Sequence, residues 1–150
     1  MPSLMRLTER SYLPDVNILI ALTDPEHIGH ASSIAWHRQI GAARLLLCPI
    51  TESGFVRLTT MPHVGGRQMS EALVRLRRIA ALPNCENLPL AHSWLELIQP
   101  LAPRLHGYRQ VTDALLLGLA IQNNAILVTL DRGIKALAGE AYAANLLTLA

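Results

Sequence analysis

Four acidic residues lie where predicted strands end or predicted helices begin, and together they suggest a divalent-metal site. Asp15 and Asp131 each follow a predicted strand. Glu52 opens a helix just after another strand, and Asp113 opens a helix that is otherwise almost wholly apolar. A carboxylate beside core-forming sequence is costly to desolvate unless it is hydrogen-bonded, paired or bound to metal. Singly, each is also a routine cap or turn residue, with Thr112 or Asp113 capping the apolar helix; the four together indicate a site.

The chemistry of such a cluster follows from its charge. Two carboxylates 4 Å apart repel by roughly 4 kcal/mol at an effective dielectric of about 20, so protons or cations must neutralise the group. Oxygen-only ligands select hard ions, which here means Mg²⁺ or Mn²⁺. A magnesium ion held by carboxylates can activate water and stabilise the leaving oxygen of a phosphodiester. Metal-dependent phosphodiester hydrolysis is therefore the chemistry that these residues suit best.

Three polar residues near the acids are candidates for orienting a carboxylate or a water molecule: Asn17, Thr112 and Thr129. Capping or turn bonding is the alternative role for each. His27 and His30 form an H-x-x-H pair, but no third ligand accompanies them, so an ordinary helix start is favoured over a metal site there.

The elements that must position these residues alternate between strand and helix. Apolar runs predict strands near residues 11–16, 44–49, 85–88, 125–129 and 146–149. Helical spacing predicts helices over 17–22, 27–42, 51–58, 68–82, 92–101, 113–123 and 133–137, with Pro100 and Pro103 ending the fifth. This alternation predicts an α/β fold of three layers, α/β/α, with a mainly parallel central sheet. Because functional crevices lie beyond the carboxyl ends of parallel strands, we expect the four acids to converge at that edge.

Composition sets the limits of this interpretation. The 150 residues fit one domain, and 51% hydrophobic against 16% charged residues argues against disorder. No apolar run reaches the roughly 18 residues that a membrane span needs, and no signal peptide is evident, so we expect a soluble cytoplasmic protein. Cys48 and Cys85 form neither a disulfide framework nor a zinc motif and are expected in the core. A net charge of +2 gives no global signature of nucleic-acid binding.

Four segments carry a family resemblance: residues 15–19 (DVNIL), 51–57 (TESGFVR), 112–114 (TDA) and 129–133 (TLDRG). In order and spacing they resemble the motifs of PIN-domain ribonucleases, in particular the VapC toxins of toxin-antitoxin pairs. Each motif alone is weak, whereas the ordered set spans nearly the whole chain and is specific.

The resemblance implies a PIN-like domain over residues 1–150 that acts as an Mg²⁺- or Mn²⁺-dependent endoribonuclease. It also implies a homodimer and inhibition by a small cognate antitoxin that obstructs the acidic site. By position, Asp15 and Asp113 would be the principal metal ligands, Glu52 and Asp131 would complete the site, and Asn17 would support it.

Residues 107–113 resemble a stretch of one VapC subgroup, but Tyr108 stands where that subgroup would have histidine, so position 108 receives no role. Arg109 is a candidate for a phosphate contact, with a structural salt bridge as the alternative. The chain's few aromatic residues argue against a large stacking platform, so RNA recognition is expected to rest on shape and arginine contacts.

Other functions fit the residues less well. A receiver domain would want a second acid beside Asp15, and a haloacid-dehalogenase-type phosphatase would want an aspartate where Asn17 stands. A catalytically silent PIN-fold binding module is the remaining alternative. Retention of all four acids argues against it, since such a module has no need for mutually repelling carboxylates.

Overall fold

A five-stranded parallel sheet forms the centre of the structure, a computed structural model that describes residues 9–150. The strands are β1 (Ser11–Pro14), β2 (Arg44–Leu47), β3 (Cys85–Asn87), β4 (Ile126–Thr129) and β5 (Leu146–Thr148). The α-helices in these residues are α1 (Val16–Thr23), α2 (His30–Ile40), α3 (Pro49–Thr60), α4 (Met69–Ala80), α5 (Trp94–Ile98), α6 (Val111–Gln122) and α7 (Ile134–Ala138). Short 3₁₀ helices cover Gln99–Arg104, Tyr108–Gln110 and Ala143–Asn145.

The strand order places β1 at the middle of the sheet. The order is β3-β2-β1-β4-β5, and every neighbouring pair is parallel. From β1 the chain builds outward to β2 and β3, and it then crosses to β4 on the other side of β1 and continues to β5. The boundary between β1 and β4 is therefore the topological switch point, where open parallel sheets form their binding crevice.

Helices cover both faces of the sheet, which confirms the predicted three-layer α/β/α fold. On one face Tyr12 of β1 packs in a buried cluster that includes residues of α1, α2, α3 and α4. Its neighbour Leu13 points to the other face, where it joins a cluster that includes residues of α5, α6 and α7. Successive side chains of a strand alternate between faces, so β1 contributes to both cores. Trp36, expected in the core, is buried edge-on against Tyr12 with ring centroids 5.7 Å apart.

Two helix predictions were wrong in detail. α6 begins at Val111, not at residue 113, and its N-cap is Gln110, so neither Thr112 nor Asp113 caps it. The 3₁₀ turn at Tyr108–Gln110 leads directly into α6, so the helix does not need a polar cap at residue 112. The helix predicted over 92–101 is shorter than expected, although it does end ahead of Pro100 and Pro103. α5 stops at Ile98, and both prolines lie within the 3₁₀ helix that continues the chain.

Two glycines allow helices near the acidic residues to approach closely. A Cβ on Gly54 of α3 would lie 2.6 Å from a methyl group of Val16 at the start of α1. A Cβ on Gly118 of α6 would overlap the carbonyl oxygen of Leu97 in α5. Glycine at these positions thus lets the Val16 side chain of α1 pack directly on the backbone of α3, and lets the backbones of α6 and α5 come together.

One core prediction was only half right. Cys48 is buried, whereas Cys85 on the edge strand β3 is partly exposed because no further strand covers that side. None of the helices within residues 9–150 has the length and apolar character needed to cross a bilayer.

Candidate active site

The carboxyl ends of β1 and β4 place two of the predicted acids side by side. Asp15 directly follows β1, and Asp131 follows β4 by two residues. The strands are paired up to Pro14 and Val128, and the backbone N–H of Asp15 donates to the carbonyl of Val128 at 2.9 Å. This backbone hydrogen bond therefore fixes the position of Asp15 relative to β4.

Asp15 has a structural role as well as a candidate chemical one. It is the N-cap of α1: its Oδ1 accepts a 3.0 Å hydrogen bond from the backbone N–H of Ile18. Its Oδ2 accepts a 2.6 Å hydrogen bond from the hydroxyl of Thr129. A carboxylate has about four acceptor positions, so these two bonds orient Asp15 and leave lone pairs for a further ligand. The residue is only 8% exposed.

Thr129 connects Asp15 to Asp131. Its hydroxyl donates to Asp15 and accepts from the backbone N–H of Asp131 at 3.0 Å. The Asp131 carboxylate in turn accepts from the backbone N–H of Gly133 at 2.8 Å, which closes the turn after β4. Thr129 is fully buried, so its hydroxyl cannot exchange these partners for water. The threonine that was expected to orient a carboxylate does hydrogen-bond to one.

Asp113 approaches the same edge from the opposite helical layer. It lies in the first turn of α6, whereas Asp15 opens α1 on the other face of the sheet. Burial, together with the charges of Asp131 and Asp15, raises the pKa of Asp113 to about 6. The three aspartates are therefore near enough to interact electrostatically, across the sheet edge that separates their helices.

The three aspartates are not paired with any basic side chain in residues 9–150. Burial also raises the pKa of Asp15; hydrogen bonds from Thr129 and Ile18 oppose that rise, and the charge of Asp131 adds to it. Ion pairs within residues 9–150 join Arg44 to Glu86, Arg67 to Glu71 and His92 to Glu96. None of these pairs includes one of the three aspartates. No described basic side chain thus neutralises them by direct contact.

Glu52 lies at the same edge but is not brought into the aspartate cluster. It occupies the first turn of α3, as predicted, just after β2. The charges that raise the pKa values of Asp15 and Asp113 do not include Glu52. Its charge acts instead on Cys85 of β3, whose thiol pKa is raised first by burial and then by Glu52 and Glu86. Glu52 thus flanks the cluster on the side of β2 and β3.

The other predicted supporting residues differ in what they contribute. Asn17 lies in the first turn of α1, where its backbone N–H favours the charged form of Asp15 while its side chain faces solvent. Thr112 is an exposed residue of the first turn of α6.

The histidine pair, His27 and His30, makes hydrogen bonds to the nearby backbone. Gly29 N–H donates to Nδ1 of His27 at 2.9 Å, and Nδ1 of His30 lies 2.6 Å from the Ala21 carbonyl. Those contacts favour the structural interpretation of the pair.

Arg109 forms a contact that the sequence did not reveal. Its guanidinium lies 5.7 Å from the ring centre of Tyr108, and its Nε–H donates to the Tyr108 hydroxyl at 3.3 Å. The ion pairs within residues 9–150 do not include Arg109, so the salt bridge given as its alternative role is not formed among these residues. Adjacent residues in a helix do not normally face each other, so no periodic signal could have indicated it.

The donor set fits a hard divalent cation. All three clustered groups are carboxylates, and their mutual repulsion is relieved by a proton or a cation. Within residues 9–150, no three acidic, histidine or cysteine side chains form a ready-made group of metal ligands. Mg²⁺ is commonly held by only one or two carboxylates and otherwise by water, so a complete protein cage is not required for it.

A parallel sheet between two helical layers, with aspartates from both layers at its switch point, defines a fold of the PIN-domain class. The family model described as PIN domain matches residues 12–140 of the chain. Ribonuclease VapC38 of Mycobacterium tuberculosis is 38% identical over 135 residues, which are 84% of this chain and 89% of the relative. Ribonuclease VapC44 of the same species is 34% identical over 123 residues, covering 81% and 87%. Ribonuclease VapC39 is 33% identical over 122 residues, covering 79% and 87%.

The chain therefore belongs to the PIN-domain family, and within it to the VapC ribonucleases.

Proposed function

We propose that the protein is the toxin of a toxin-antitoxin pair and acts as an endoribonuclease that requires Mg²⁺ or Mn²⁺. The curated relatives carry the name ribonuclease, which supports RNA as the substrate. In this proposal Asp15, Asp113 and Asp131 hold the cation, and Glu52 completes the acidic edge. A bound ion would supply Lewis acidity, which makes a water molecule more nucleophilic and stabilises the charge of the leaving oxygen.

One observation supports this proposal above the others. The pKa of Asp113 is raised to about 6 by burial and by Asp131 and Asp15, while none of the described ion pairs neutralises the three groups. An arrangement of this kind destabilises the metal-free protein. A divalent cation offsets the repulsion, so the cost is explained if binding such a cation is the function of the edge.

The chain's own residues have separate tasks in this scheme. Thr129 and Ile18 fix the rotation of the Asp15 carboxylate, and the N–H of Asp131 orients the Thr129 hydroxyl. α6 holds Asp113 rigidly, because the residues that follow it in the helix are buried against the sheet. The site is therefore preorganised from three elements, so that binding a cation and a phosphate requires little reordering of side chains.

The remaining parts of the proposal rest on family membership. We expect a small cognate antitoxin to cover the acidic edge, two copies of the chain to form a homodimer, and the pair to work in the cytoplasm. Hydrolysis by activated water leaves a 5′-phosphate and a 3′-hydroxyl. The first check on partnership is whether a neighbouring gene encodes a short DNA-binding protein that co-purifies with this chain.

Cleavage of RNA by the purified protein tests the proposed activity. Transfer RNA, ribosomal RNA and unstructured RNA are incubated with Mg²⁺, with Mn²⁺ or with a chelator, and the new ends are identified by their reactivity with ligase and phosphatase. We expect cleavage of at least one RNA with a divalent ion and none with chelator. Absence of cleavage across these RNAs, together with no effect of either ion on thermal stability, would instead support the silent binding module.

A further inference from the structure

Tyr108 and Arg109 form an exposed pair just before α6, and the acidic site described above uses neither. Tyr108 is 82% exposed, so its ring contributes little to the packed core. The guanidinium of Arg109 lies 5.7 Å from the ring centre and hydrogen-bonds to its hydroxyl. Most of the aromatic surface remains free to contact another molecule.

Arg109 is a cation close in sequence to Asp113, but it does not pair with it. It precedes Asp113 by four residues, a spacing at which opposite charges on a helix commonly pair. The ion pairs found in residues 9–150 nevertheless leave Arg109 out. Its guanidinium is directed to Tyr108 instead, and the remaining N–H groups of this exposed, planar donor are available for an anion.

The turn that bears the pair is held firmly. Oε1 of Gln110 accepts from the backbone N–H groups of His106 and Gly107, at 2.7 and 3.3 Å. Nε1–H of Trp94 donates to the carbonyl of Val111 at 3.3 Å, which joins α5 to the start of α6. These bonds fix the turn relative to the helix that carries Asp113.

The rise along the chain between the pair and Asp113 suits a polynucleotide. From Tyr108 to Asp113 the chain rises on the order of 9 Å, about 2 Å per residue in the 3₁₀ turn and 1.5 Å in the α-helix. That rise corresponds to roughly two or three stacked nucleotides at ~3.4 Å each. A strand whose phosphate reaches the aspartates can therefore present a neighbouring nucleotide to this pair.

We propose that Tyr108 and Arg109 form a contact for single-stranded RNA next to the acidic edge. The Tyr108 ring stacks on an unpaired base, and the Arg109 guanidinium binds a phosphate of the same strand. The Tyr108 hydroxyl accepts a hydrogen bond from Nε–H of Arg109 and so holds the guanidinium next to the ring. This inference rests on the proposed ribonuclease function, because it supplies the substrate contact for that site.

Binding of short, labelled single-stranded oligo(A) and oligo(U) RNA tests the contact. Fluorescence anisotropy is measured without added metal in the Asp113→Asn background, so that cleavage does not consume the probe. Tyr108→Ala should weaken binding by roughly 5- to 150-fold, the usual effect of losing one stacked base. Tyr108→Trp, which keeps a ring, should retain most of the affinity. Arg109→Ala should reduce the slope of log K against log salt by about 0.7, as expected for one phosphate contact on a single strand.

Two control variants are matched to these changes. Val64→Ala trims a 61% exposed apolar residue in the loop between α3 and α4, and Arg38→Ala removes an exposed arginine near the end of α2. Both should leave affinity and salt slope unchanged. Melting temperatures of all variants should agree with the parent, because Tyr108 and Arg109 are exposed.

The outcomes separate this inference from the function on which it rests. If the parent binds RNA and Tyr108→Ala binds as tightly as Val64→Ala, the inference is overturned and the ribonuclease proposal survives. The inference is also overturned, and the ribonuclease proposal survives, if Tyr108→Ala changes the sedimentation of the protein but not its affinity for RNA. That result would assign the ring to a contact between protein chains. If the parent binds no RNA and the wild type cleaves none, both are overturned.

Discussion

The hydroxyl of Thr129 donates a 2.6 Å hydrogen bond to Oδ2 of Asp15, a residue 114 positions earlier in the chain. The bond crosses from the end of β4 to the end of β1, the two strands that flank the switch point of the sheet. Because Thr129 also accepts from the backbone N–H of Asp131, a single buried hydroxyl sets the geometry of two acids.

Replacing Thr129 separates this orienting role from simple packing. Thr129→Val keeps the shape of the side chain but removes the hydroxyl, and we expect a loss of about 1–3 kcal/mol in the free energy of unfolding because buried partners lose their bonds. Affinity for Mn²⁺ should fall roughly 10- to 100-fold, as is typical when a group that orients a ligand is removed. Thr129→Ser should restore most of that affinity. Calorimetric titration and thermal denaturation check both effects, and equal Mn²⁺ affinity in the valine and wild-type proteins would contradict the role.

Asp113 should make the metal-free protein less stable at neutral pH. Its pKa is raised from 3.8 to about 6, so between these values the folded state binds more protons than the unfolded state. The free energy of unfolding contributed by this group is therefore greatest below about pH 4 and falls as the pH rises through 6. With allowance for solvent screening, Asp113→Asn should stabilise the metal-free protein at neutral pH by about 1 kcal/mol, or ~2–4 °C in Tm.

Thermal denaturation at acidic and neutral pH, with chelator present, measures that difference. The gap between the variant and the wild type should shrink toward zero as the pH falls below 4, where Asp113 is protonated in both states. A gap that does not depend on pH would show that charge repulsion is not its cause.

Glu52 should matter less to metal binding than Asp113 does. The charge of Glu52 acts on Cys85 and does not contribute to the raised pKa values of Asp15 and Asp113. We expect Glu52→Gln to weaken Mn²⁺ binding by less than about tenfold and Asp113→Asn by more. Because the carboxylate helps to raise the pKa of the Cys85 thiol, Glu52→Gln should also speed alkylation of that thiol near neutral pH.

Calorimetry and the rate of iodoacetamide labelling at Cys85 give the two readouts, with Glu26→Gln as an exposed control. A loss of Mn²⁺ affinity as large as that of Asp113→Asn would instead make Glu52 an equal ligand. An unchanged labelling rate would contradict the coupling between Glu52 and Cys85.

Gly118 provides a test of the packing that holds Asp113. Alanine normally improves a helix interior by about 1 kcal/mol over glycine. At Gly118 a Cβ would overlap the carbonyl oxygen of Leu97, so we expect Gly118→Ala to lower the free energy of unfolding by about 1–3 kcal/mol. Gly107→Ala is the matched control, because a Cβ there meets nothing within 4 Å and the backbone is extended. Urea denaturation measures both; a stabilised Gly118→Ala variant would refute the close contact.

The layered fold follows from the sequence because its signals are local and repeated. The apolar runs ending near Pro14 and Thr129 mark buried parallel strands, and the intervening helical patterns require helices on both faces. A parallel sheet then places Asp15 and Asp131 at one edge. The pairing of β1 with β4 is a tertiary choice that no local pattern specifies, and it decides that these two acids are neighbours.

Three local details could not be predicted from the sequence, each for a physical reason. Thr112 has the residue type of a cap, but a 3₁₀ turn ending at Gln110 already begins the helical path. Glu52 was placed at the correct edge, yet side-chain direction depends on how α3 packs, and its charge acts on Cys85. The contact between Arg109 and the ring of Tyr108 was not predicted, because charge patterns do not reveal an aromatic contact.

The most direct test of the central claim is to measure Mn²⁺ binding and RNA cleavage on the same preparations of wild type, Asp15→Asn, Asp113→Asn and Glu71→Gln. Asparagine keeps the capping oxygen at residue 15, and Glu71 forms only an exposed pair with Arg67, which contributes little. The wild type and Glu71→Gln should bind Mn²⁺ and cleave RNA, with cleavage abolished by chelator, while both aspartate variants lose binding and cleavage together. Undiminished cleavage by Asp113→Asn, or cleavage that survives chelation, would contradict the assignment of the aspartates as a metal-dependent ribonuclease site.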